Sequence, residues 1–100
     1  AVLAARPDAA ATDGTVVADG AKGRGLSVAE GRAILAADRP PPDPLACAPH
    51  FNGYGCNMAV RMAPVRAQGL RFDETLPLYA WYEDIDFTRR LGRHGAILRL

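Results

Sequence analysis

At 100 residues the chain is expected to form at most one small domain with a modest core. Nearly half of its residues are apolar and 23% are charged, a globular rather than a disordered composition. A net charge of +1 with dispersed basic side chains points away from nucleic acid and anionic membrane surfaces, and no apolar run approaches the roughly 18–20 residues that span a bilayer.

Ala1 to Arg6 reads as the last turns of a helix closed by Pro7, and without a basic leader it does not read as a signal peptide. Thr15 to Ala18, a β-branched centre between turn residues, predicts a strand. Gly20-Ala21-Lys22-Gly23-Arg24-Gly25 reads as a surface loop; a phosphate cradle is the alternative, although neither Gly-x-Gly-x-x-Gly nor the Walker pattern is present. Ser27-Val28-Ala29-Glu30 spells a capping box, and Val28, Gly31, Ile34 and Leu35 give the helix to Ala37 one apolar face. The prolines from Pro40 to Pro49 end that helix and predict an extended connector.

Beyond the connector, Gly53-Tyr54-Gly55-Cys56-Asn57 allows backbone to approach a neighbour closely. Met58 to Val60 predicts a short buried strand, Pro64 to Gln68 a helix stopped by Gly69, and Leu70 to Leu78 a loop. Glu83 to His94 predicts the clearest helix: acids in its first turn, Arg89, Arg90, Arg93 and His94 in its last, and Gly95 beyond. Ala96 to Leu100 reads as a buried strand with no turn after it, so both ends look cut and a segment of a longer protein is expected, prone to associate through its open edge. The alternation of strands and helices predicts an α/β layer architecture. Cys47 and Cys56 read as reduced thiols in a cytosolic protein; with His50 they lack the spacing and ligand number of a structural zinc site.

Three motifs carry a resemblance. Gly55-Cys56-Asn57-Met58-Ala59-Val60-Arg61 is similar to a Gly-x-Asn-apolar-Ala strand. Phe72-Asp73-Glu74 follows it, and Glu83-Asp84-Ile85-Asp86-Phe87 with Arg90-Leu91 and Gly95 fits Glu-Asp-x-Asp-apolar-x-x-Arg-Leu followed by glycine. In this order and spacing they resemble the C-terminal, acceptor-side half of a family 2 glycosyltransferase catalytic domain. The motifs cover residues 53 to 95, while residues 1 to 52 fit loosely as the preceding helix, strand and variable connection.

The resemblance implies a partial GT-A sheet, Rossmann-like as in nucleotide-diphospho-sugar transferases, truncated at both ends. It implies inverting transfer of a sugar from a nucleotide-sugar donor to the hydroxyl of a glycan or lipid-linked acceptor, in polysaccharide, glycolipid or cell-surface glycan synthesis. A cytoplasmic location follows, the inner face of the membrane included. Asp84 stands where the family places its general base. Glu83, Trp81 and Tyr82 would bind the acceptor, the aromatics by stacking on its ring. Gly53, Gly55 and Asn57 would line the donor-sugar pocket. A divalent metal, Mg or Mn, is implied through a motif upstream of Ala1, with no metal ligands in this segment, and the fragment alone is expected to be inactive.

Plainer readings stand beside these. Acids in a first helical turn are ordinary dipole and capping chemistry; Asp73 and Arg90 suit a turn and a salt bridge, and Trp81 suits a core. Asp84-Ile85-Asp86 also spells the Asp-x-Asp of a metal motif, but in a helix i and i+2 point roughly opposite ways. A non-catalytic α/β binding or assembly fragment is the alternative from another class. A sugar-nucleotide nucleotidyltransferase is a third, although it needs a different phosphate loop.

Overall fold

The computed structural model describes residues 2–21, 23–77 and 82–100. A four-stranded mixed sheet carries helices on both faces, so the chain is an α/β domain. In chain order the elements are α1 (Val2–Ala5), β1 (Ala9–Asp13), α2 (Val28–Ala37), β2 (Ala48–His50), β3 (Met58–Val60), α3 (Met62–Ala67), α4 (Glu83–Leu91), a 3-10 turn (Gly92–His94) and β4 (Ala96–Arg99). The sheet order is β2-β4-β1-β3; β1 and β4 run parallel, and the outer pairs are antiparallel.

The central strand is not where local propensity puts it. Thr15 to Ala18 form no strand, and Val16 is exposed; the strand is the alanine-rich segment before them. All five residues of β1 are buried, with β3 and β4 on its two edges and packed layers on its two faces. Small side chains fit that crowded position, so tertiary packing overrides the weak strand preference of alanine.

On one face Phe87 and Leu91 of α4 and Val65 of α3 pack against Ala10, Ala11 and Ile97. On the other, Val2 of α1 packs against Ala9 and Leu98. Arg61 ties α1 to the sheet: its guanidinium donates to Ala9 O of β1 at 2.8 Å and to Leu3 O and Arg6 O, at the end of α1, at 2.5 and 3.0 Å. A Cβ on Gly95 would lie 2.9 Å from Ala10 Cβ and from Asp8 O, so only glycine lets the chain turn from α4 into β4 there.

The capping box at Ser27 and Glu30 is formed in both directions. The apolar face expected on α2 is not buried, however: no residue of the helix is, and Val28 and Leu35 are exposed. Pro64 is the third residue of α3 rather than its first, a position whose N–H would have no intrahelical partner anyway. Gly69 donates to Arg66 O and Leu70 to Val65 O, the paired bonds of a Schellman stop. The last predicted helix is α-helical to Leu91 and tightens into the 3-10 turn. Residues 70–77 form turns without helix or strand.

The open edge expected at the last strand is absent. Part of the proline-rich connector forms β2, which covers β4 and leaves it paired on both sides. Pro49 is tolerated because β2 is itself an edge strand.

Candidate functional site

Asp13 and Arg99 are register partners at the carboxyl ends of the two parallel strands. In open α/β sheets this end is where ligands bind. The Asp13 side chain is buried, 2% exposed, while Arg99 reaches back over it, Nη2 to Oδ2 at 3.3 Å. His50 Nε2 lies 2.7 Å from the same Nη2. A hydrogen bond there has Nε2 as the acceptor, because a guanidinium only donates.

The glycine loop after β2 is pinned by successive backbone amides. Gly53 N–H donates to Thr88 Oγ1 at 3.0 Å, Tyr54 N–H to Asp13 Oδ1 at 2.9 Å, and Gly55 N–H to Asp84 Oδ2 at 2.8 Å. All three acceptors are buried. Thr88 in turn donates its hydroxyl proton to Asp84 O at 2.6 Å, so α4 holds the loop through two residues one turn apart. A Cβ on Gly53 would stand 2.9 Å from the Met58 sulfur and 3.0 Å from Thr88 Cγ2, which explains glycine at this position.

Between these groups lies a cavity of about 240 Å3 lined by Asp13, Gly53, Tyr54, Asp84, Ile85 and Arg99. A second, of about 330 Å3, adjoins it and shares Asp13, Tyr54 and Arg99. Asp84 accepts a second backbone bond, from Ile85 N–H to Oδ1 at 2.7 Å. Each carboxylate oxygen accepts about two hydrogen bonds, so both retain capacity toward the cavity. The charge of Asp19, then that of Cys56, pushes the Tyr54 phenol up and keeps it protonated as a donor.

Asp84 and Gly53 thus share one cavity, with Gly55 beside it, its amide on Asp84 and its outer side toward an apolar groove with Met58 and Phe72. Asn57 lies outside: its backbone carbonyl accepts from Gly14 N–H at 2.9 Å and its amide reaches Thr15 O at 3.4 Å. Glu83 does not line the cavity; its Oε2 is buried and makes no hydrogen bond among the described residues. Tyr82 is exposed at the start of α4. Trp81 lies outside the described residues. Asp86 pairs with Arg90, which also donates to Arg71 O at 2.7 Å, and Asp73 closes a turn onto Thr75.

The sequence reading missed Asp13, Thr88 and Arg99. Asp13-Gly14 was legible only as a turn; in the fold Asp13 closes β1, at the strand end where α/β sheets bind ligands. The phosphate-cradle alternative for the 20–25 loop loses its anion position, because Glu30 itself accepts from Ser27 N–H and pairs with Arg24. Cys47 and Cys56 are free thiols. Among the described residues no three His, Cys, Asp or Glu side chains assemble into a metal-ligand group. No described helix is long and apolar enough to cross a membrane.

No protein-family model matches the chain, and no curated protein or solved structure matches it.

Proposed function

We propose that the chain is the acceptor-side half of a GT-A catalytic domain of glycosyltransferase family 2, moving a sugar with inversion from a nucleotide-sugar donor to an acceptor hydroxyl. The observation that carries the reading is the Gly55–Asp84 bond. It joins the glycine-strand motif to the Glu-Asp motif, 29 residues apart, beside the cavity that Asp84 lines. Asp84 takes the acceptor proton as the acceptor oxygen attacks the anomeric carbon; the bond from that carbon to the phosphate oxygen breaks, and the nucleoside diphosphate leaves. Glu83, Trp81 and Tyr82 orient the acceptor, and the donor nucleotide and its metal are held by sequence upstream.

The test uses the full-length protein that carries this chain, assayed for transfer from a panel of UDP- and GDP-sugars. Transfer that falls by about 10²–10⁴-fold in Asp84→Asn, with donor affinity retained, supports the base assignment. Full turnover in that variant overturns it.

One observation favours a second reading, a non-catalytic binding or assembly module: Asp84 already holds backbone through both oxygens. Under it the wild-type protein transfers no sugar and the upstream sequence lacks an apolar strand ending in paired aspartates.

A further inference from the structure

We propose that Asp13 and Arg99 form a hydroxyl-reading pair that binds adjacent hydroxyls of one pyranose ring in the cavity beside Asp84. This rests on the glycosyltransferase reading for its context, but its geometry does not depend on which reaction follows.

The chemistry of the wall selects the ligand. Asp13 is almost wholly buried, yet among the described residues its two oxygens accept only Tyr54 N–H and Arg99 Nη2, leaving lone pairs beside the cavity. Arg99 spends Nη2 on Asp13 and His50; its Nε and Nη1 make no hydrogen bond among the described residues. The Arg99 side chain is half exposed, 52%, and borders both cavities. An anion in this space would meet the carboxylates of Asp13 and Asp84, and a cation would meet Arg99. A hydroxyl group is donor and acceptor at once. It can give its proton to Asp13 and accept from Arg99 without meeting net charge from the pair.

Size narrows the ligand further. At about 240 Å3 the cavity beside Asp84 takes one ring, and the adjoining space of about 330 Å3 leaves room for what that ring is attached to. Tyr54, which borders both cavities, offers an aromatic side chain against the apolar face of such a ring. His50 and Asp13 brace the guanidinium from two directions, giving a preorganised donor rather than a freely swinging surface arginine.

The ring can belong to the donor or to the acceptor, and the experiment separates them. The isotopically labelled full-length protein is titrated with the methyl glycosides of glucose, galactose and mannose, with glycerol as the polyol control. The amides of Tyr54, Gly55 and Ile85 report, because each bonds Asp13 or Asp84. Saturable shifts there that prefer one epimer are expected. Arg99→Gln should weaken them by about tenfold or more, and Arg99→Lys by less, with dispersed spectra showing that both variants are folded. Displacement of the glycoside by UDP- or GDP-sugar assigns the ring to the donor; simultaneous binding assigns it to the acceptor. No shifts in the wild type, equal shifts with glycerol, or an Arg99→Gln titration matching wild type would overturn the proposal. Loss of transfer in Asp84→Asn with an unaffected Arg99→Gln sinks this pair alone. Epimer-selective, Arg99-dependent binding by a protein that transfers nothing sinks the enzyme reading alone.

Discussion

Thr88 and Gly53, 35 residues apart, are joined by a 3.0 Å hydrogen bond from the glycine amide to the threonine hydroxyl, with both residues buried. The neighbouring Gly55–Asp84 bond repeats the connection one helical turn away, but at an exposed glycine. The two bonds place the glycine loop against α4, and their different burial gives them different energetic weight.

Thr88→Val should therefore cost about 1–3 kcal/mol, because it leaves the Gly53 amide buried without an acceptor. Asp84→Asn keeps one side-chain oxygen, for Gly55 or for Ile85, and the exposed Gly55 amide can turn to water, so its cost should be smaller. Urea unfolding of the two variants ranks them; a larger loss in Asp84→Asn would mean that the loop is held mainly by charge.

Glu30 supplies a pH test of the capping box. Hydrogen bonding from Arg24, then from the Ser27 amide and hydroxyl, holds its carboxyl at about 2, below the ordinary 4.5. A depressed folded value means that the group's contribution to stability is full above 4.5 and is lost as pH falls from there through about 2. Carbon NMR of the Glu30 carboxyl should show this low midpoint, and Arg24→Gln should raise it. Because the pair is exposed, added salt should move the midpoint in the same direction.

Local signals were read well where the physics is local. The capping box and the charge-polarised α4 depend on residues three or four apart, and both form. The strand at Ala9–Asp13 was illegible because alanine carries little strand preference and its placement comes from what surrounds it. β2 was hidden by Pro49, which forbids a central strand but not an edge. The Asp13–Arg99 pair depends on the parallel register of strands whose partners stand 86 residues apart, which no local pattern encodes.

Gly95→Ala should be the most damaging small substitution at a turn. Its Cβ would meet Asp8 O at 2.9 Å and Ala10 N at 3.1 Å, backbone atoms on the approach to the central strand. Neither can swing away as a side chain does, so β4 must shift against β1, at a cost of about 1–3 kcal/mol or more. Gly31→Ala is the control: it meets nothing within 4 Å and sits inside α2, where alanine should stabilise by roughly 0.5–1 kcal/mol. Thermal melts showing equal effects for the two would contradict this packing.

Asp84 and Asp86 should behave differently although they are two residues apart. Asp84 is buried at the cavity wall, whereas Asp86 is half-buried and bonded to Arg90 on the next turn of α4. Breaking that i,i+4 pair by Asp86→Asn should cost no more than about 1 kcal/mol and leave transfer nearly unchanged. Under the proposed function, Asp84→Asn should lower kcat by about 10²–10⁴-fold, equivalent to roughly 3–5 kcal/mol of transition-state stabilisation. Steady-state kinetics on the full-length protein measure both, with donor affinity followed in parallel by calorimetry. A matched loss of metal-dependent donor binding in the two variants would make the pair an Asp-x-Asp metal motif and remove Asp84 from the role of base. Loss confined to Asp84, and confined to kcat, is the result its place on the cavity wall predicts.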